Sequence, residues 1–159
     1  MTKTSQIAWN PRWGAAQNAQ SQLPPMVRAY FTQVRELLAA SPPPAELHAI
    51  RLATKRLRYT LELFRPCYGQ GLEIRLATLQ RLQQVLGEIN DCAAAERLLQ
   101  RTIPPSAARR RVLSFLRRRA SAKAVALRKE WRDTFDAPGR EHWWIQYLAR
   151  SARAGKLRL

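Results

Sequence analysis

The chain has 159 residues, enough for one domain, and its 28 Lys plus Arg against 11 Asp plus Glu leave a formal charge of +17. Solubility alone asks for a net charge of about 2–8 in a small domain, so this surface is built for a polyanion or an anionic membrane face. Two cysteines, Cys67 and Cys92, are too few for a disulfide framework or a structural zinc site and fit a reducing compartment.

Residues 1–22 carry only Lys3 and Arg12 as charges and read as a flexible tail whose Trp9 and Trp13 clip onto the body. They lack the continuous apolar run of a secretory signal, and no stretch approaches the roughly 18 apolar residues of a membrane span. A soluble, cytoplasmic protein is expected. From Leu23 to Ala40, the spacing of Val27, Tyr30, Val34, Leu37 and Leu38 predicts a helix opened by Pro24 and Pro25 and ended by Ser41-Pro42-Pro43-Pro44. A second helix is expected from Pro44 to Arg65, a third from Leu72 to Gln100, and a fourth from Ser106 to Phe135. A short amphipathic helix from Glu141 to about Ala152 holds Trp143, Trp144, Tyr147 and Leu148. Strand and hairpin signals are absent. The expectation is an all-α chain: a tail (1–22), an antiparallel four-helix bundle (23–135) and a basic, aromatic C-terminal segment (136–159).

At about 100° per residue, Leu47, Ile50, Thr54, Leu57, Leu61 and Phe64 share the core face of the second helix. His48, Arg51, Lys55, Arg58 and Arg65 form a second stripe, centred about 100° from the first rather than opposite it. Cations at the edge of an apolar face stand beside the neighbouring helix and can wall a groove. The stripe spans about 26 Å, with Glu62 as the one acid within it. Like charges at i,i+4 cost a few tenths of a kcal/mol per pair, which a bound anion would offset; a solvated basic face is the competing reading.

The fourth helix has Leu113, Leu116, Ala120, Ala124, Leu127 and Trp131 on its core side. Between Arg109 and Arg132 it carries ten cations and one acid, Glu130. Arg110, Arg117 and Arg128 align about 80° from the core centre. Guanidinium forks match phosphate oxygens, which points to a phosphate-rich target.

The segment Glu46–Phe64, ELHAIRLATKRLRYTLELF, resembles the signature helix of the CHAD family, the histidine-containing α-helical domains. Leu79–Asp91, LQRLQQVLGEIND, is similar to that family's second signature. With the basic fourth helix, the resemblance covers residues 25–135. It implies a non-catalytic polyphosphate-binding module, often on or near polyphosphate granules, whose phosphate-facing positions here are His48, Arg51, Lys55, Arg56 and Arg58. Arg81 and the Arg-rich fourth helix match less sharply. Members usually carry two four-helix units around a shared basic centre; this chain resembles one. A homodimer through Trp143, Trp144 and Tyr147 is therefore expected to supply the second wall, the alternative being that this piece folds back on its own bundle.

His48 lacks the partners of a metal ligand or acid–base catalyst and reads as a phosphate donor, with a structural hydrogen bond as the alternative. Glu88 and Asp91 read as caps or as partners of neighbouring arginines, and Gly87 as a site of close helix packing. No metal, cofactor or acidic cluster for Mg²⁺-dependent phosphoryl chemistry is expected. Non-specific nucleic-acid binding is the competing function, because +17 attracts any phosphate backbone. A membrane-surface or assembly role for the Trp-rich C-terminal piece is the third.

Overall fold

The computed structural model describes residues 8–150 and Ala152. Five α-helices follow one another, with no strand among the described residues: α1 (Ala15–Ala39), α2 (His48–Leu63), α3 (Gln70–Thr102), α4 (Ala107–Glu130) and α5 (Arg140–Arg150). Pro44–Leu47 and Arg65–Cys67 form 3₁₀ turns on either side of α2, and Trp131–Phe135 continues α4 as a π-helical turn. The all-α expectation holds, with α2 and α3 close to their expected limits.

The first helix begins at Ala15, eight residues before the expected Leu23. The cause is Asn18, which is fully buried. Its side-chain amide donates to the carbonyls of Asn10, Trp13 and Gly14, and its oxygen accepts from the Asn10 N–H. That network fixes the turn ahead of the helix. Ala and Gln are good helix formers, and Ala19 and Leu23 gain core burial, so the helix runs through Pro24 and Pro25 despite their cost. Residues 8–22 are thus largely part of the body, and Trp9 stacks on Phe64 with ring centroids 6.3 Å apart. The first seven residues of the expected tail lie outside the described residues.

Every residue assigned to the core face of α2 is buried. The Tyr30 hydroxyl of α1 meets the Thr54 hydroxyl at 2.8 Å, and Thr54 in turn donates to the Ile50 carbonyl. Burial pushes the Tyr30 phenol above its ordinary pKa, so it stays a neutral donor. At the end of α4 the wider π turn brings both Trp131 and Phe135 into the core, their rings stacked at 4.8 Å and packed on Tyr30 and Phe31. A regular helix to Phe135, as expected from periodicity, gives way to this turn.

The C-terminal aromatic piece folds back. Helix α5 packs on α1, with Trp144 and Leu148 at most 1% exposed. Trp143 and Tyr147 hold Arg75 of α3, whose guanidinium lies 3.3 Å and 3.9 Å from their ring centroids and donates to the carbonyls of Gly71 and Trp143. Arg75 has no acid partner among the described residues, and burial lowers its pKa to about 10. It remains charged at neutral pH, stabilised by π faces and carbonyls rather than by a carboxylate. A Cβ at Gly71 would lie 2.5 Å from the Tyr147 ring, so this close approach requires glycine. Two of the three residues expected at a dimer interface, Trp144 and Tyr147, are thus engaged inside the chain, while Trp143 keeps an exposed face. Residues 151 and 153–159 of the C-terminal segment lie outside the described residues.

If α5 closes the core, Trp144→Ala will cost about 3–5 kcal/mol of unfolding free energy. Urea denaturation followed by circular dichroism measures it; a loss below about 1 kcal/mol would mean that α5 merely rests on the surface.

Candidate functional site

The cationic stripe of α2 lies against α3, as its offset from the core face requires. Two contacts mark the register. His48 Nδ1 is 3.1 Å from Asn90 Oδ1 at one end, and Arg58 Nε donates to Gln83 Oε1 at 2.7 Å at the other. Gln83 and Asn90 are seven residues apart, two helical turns, and therefore share a face of α3. Arg51 and Lys55 stand between these contacts on α2, half-buried and with no acid partner among the described residues. The Nε of Arg51 is buried with no acceptor. The Nε atoms of Arg75, Arg109 and Arg128 share that state, so it does not set Arg51 apart.

The stripe is shorter and less charged than the sequence suggests. Arg58 donates to Glu62 at 2.6 Å, one turn further along α2, and its guanidinium lies 4.6 Å from the centre of the Tyr59 ring. Arg65 belongs to the turn after α2 and pairs with Glu73 at 2.7 Å. The run from His48 to Arg58 covers about 15 Å rather than 26 Å. His48 is exposed and holds Asn90, so it heads the stripe and makes a structural hydrogen bond at once.

The other candidates do not join this surface. Arg56 is exposed and leaves α2 about 100° round from Lys55. Arg81 is exposed and leaves α3 about 200° round from Gln83, on another side of that helix. On α4, Arg117 is bound to Glu96 at 2.6 Å and Arg128 donates to the Pro42 carbonyl at 2.7 Å. Lys123 pairs with Glu88 at 2.6 Å and holds that carboxyl below the usual carboxylate range. The Arg117–Glu96 and Lys123–Glu88 pairs staple the two flanks of the α3–α4 seam, since Arg117 and Lys123 leave α4 about 120° apart. Arg110, Arg111 and Arg118 stay exposed and, with Ser114, line an open depression on α4. Glu88 thus pairs with a lysine rather than the expected arginine.

Gly87 corrects another expectation. A Cβ there would meet nothing within 4 Å, so close helix packing does not explain it. Glycine in a helix interior nonetheless costs about 1 kcal/mol against alanine. Sequence reasoning also passed over Gln83 and Asn90, although both lie in the second signature at same-face spacing. Among the described residues no three His, Cys, Asp or Glu side chains converge on a point where a metal ion would sit.

The family model of the CHAD domain matches residues 3–100, and the chain belongs to that family. CHAD domains are associated with polyphosphate binding and are generally non-catalytic binding modules. The match spans α1, α2 and most of α3, which includes the whole α2–α3 surface, and stops before α4. No curated protein and no solved structure matches the chain.

Because the stripe flanks the core without filling it, removing the two cations that lack an acid partner will not unfold the protein, although Lys55 Nζ lies 5.6 Å from the centre of the Tyr59 ring. Arg51→Ala with Lys55→Ala relieves an i,i+4 repulsion of about 0.2–0.5 kcal/mol, so the urea midpoint should stay or rise slightly. A large fall would show that these side chains are packing elements.

Proposed function

We propose that this chain binds inorganic polyphosphate, without chemistry of its own, along the α2 stripe and the α3 wall beside it. The observation that carries the reading is the pair Arg51 and Lys55. They stand without acid partners among the described residues, between two cross-helix contacts, in a register that the core of α2 dictates. Family membership supports the choice of polyphosphate over other anions. Arg51 offers a planar fork for two phosphate oxygens, Lys55 a compact charge one turn on, and His48 a ring nitrogen at the head of the line. Arg58 adds a third cation when phosphate competes with Glu62 for it. A linear chain with a negative charge on every unit matches a line of cations spaced one helical turn apart, and the released counterions drive binding. A protein with this property would associate with polyphosphate granules in the cytoplasm.

The second reading, non-specific nucleic-acid binding, draws on the exposed Arg110, Arg111 and Arg118 of α4, which lie outside the family match. Competition between long-chain polyphosphate and duplex DNA at fixed salt separates the two. The proposed function predicts that polyphosphate displaces DNA and that DNA does not displace polyphosphate.

Charge reversal at all three cations, R51E with K55E and R58E, should abolish polyphosphate binding while the far-ultraviolet dichroism stays helical. Wild-type affinity in that folded variant would refute the surface. Conversely, Glu62→Gln frees Arg58 and adds one cation to the line, so affinity should rise. The plot of log K against log salt concentration should also steepen by about 0.7–0.9. Titrations at several salt concentrations test both.

A further inference from the structure

Gly87 is placed where neither fold nor packing calls for glycine. It lies deep inside α3, and its backbone is not in the left-handed region, which Gly139 alone among the described glycines adopts. The space a Cβ would fill is empty, in contrast to Gly71, where the Tyr147 ring occupies it. A helix that keeps glycine here forgoes stability with no structural return. The position on the helix supplies the reason. Gly87 lies one turn after Gln83 and one turn before Asn90, on the flank of α3 whose side chains reach Arg58 and His48. It therefore faces the stretch of groove in which Arg51 and Lys55 stand, two cations without an acid partner among the described residues.

We propose that Gly87 is a slot in the α3 wall that lets a phosphate chain lie against the helix backbone, opposite Arg51 and Lys55. This rests on the polyphosphate reading and adds to it a place and a depth: the chain enters the α2–α3 groove rather than resting on the tips of the cations. Any side chain at residue 87 narrows the groove without touching a charged group. Its effect on binding is therefore steric, and its effect on folding is favourable or neutral.

Gly87→Ala and Gly87→Leu test the slot, with thermal unfolding and titration of inorganic polyphosphate as the two readouts. Alanine should raise the melting temperature by about 1–3 °C, because it removes glycine's conformational freedom from the unfolded chain. Leucine, a good helix former projecting into open space, should leave the protein folded. Affinity should fall about 3–10-fold with leucine, the loss of roughly one good contact, and less with alanine. A folded Gly87→Leu protein that binds polyphosphate as tightly as the wild type overturns the slot, and so does a fall in melting temperature with alanine, which would return Gly87 to a packing role. The outcome is distinct from failure of the function itself. In that case the wild-type chain would show no polyphosphate binding, and the slot would fall with it.

Discussion

The rotation of α2 about its own axis decides what this protein presents to solvent. Ile50, Leu57 and Leu61 bury one face, and the hydrogen bond from Tyr30 to Thr54 locks that face against α1. Thr54 has no other way to satisfy a buried hydroxyl than through Tyr30 and the Ile50 carbonyl, so a slip of the helix would leave two polar groups unmatched. With the apolar face fixed, the stripe about 100° away must lie along α3. The contacts of His48 with Asn90 and Arg58 with Gln83 follow from that angle rather than cause it.

The charges divide into two populations. Arg35 bridges α1 to Asp136 and Glu141, Arg117 and Lys123 staple the α3–α4 seam, and Arg75 is sunk among aromatic rings. These cations are engaged in the fold, although the exposed pairs each contribute at most about 1 kcal/mol. Most other cations, among them Arg51 and Lys55 on α2 and Arg110, Arg111 and Arg118 on α4, have no acid partner among the described residues. A net charge of +17 overstates the size of any one binding surface, because no single face carries it.

Helix periodicity made α2 legible: the core positions and the stripe both come from an interval of three or four residues, which a sequence states outright. The Glu62–Arg58 pair was visible as i,i+4 spacing, and its effect on the charge of the stripe follows from geometry alone. The start of α1 was not legible, because Asn18 acts on backbone carbonyls that only the folded turn assembles. Nor could an amphipathic Trp-rich helix reveal which surface it covers; the folded chain shows α5 lying on α1. Arg128 reads as a candidate phosphate ligand from its angle on α4, yet its nearest acceptor is the Pro42 carbonyl, 86 residues away in the chain. Long-range pairings of this kind leave no local pattern. Gly87 was legible as an anomaly, and only the empty space beside it changes its meaning.

Amide chemical-shift mapping during titration with inorganic polyphosphate reports where the anion lies without altering a residue. The largest changes should run along His48–Arg58 of α2 and Gln83–Asn90 of α3, with Arg56 and Arg81 little affected beyond their neighbours. Changes concentrated instead on Arg110–Arg118 of α4, with α2 silent, would contradict this placement.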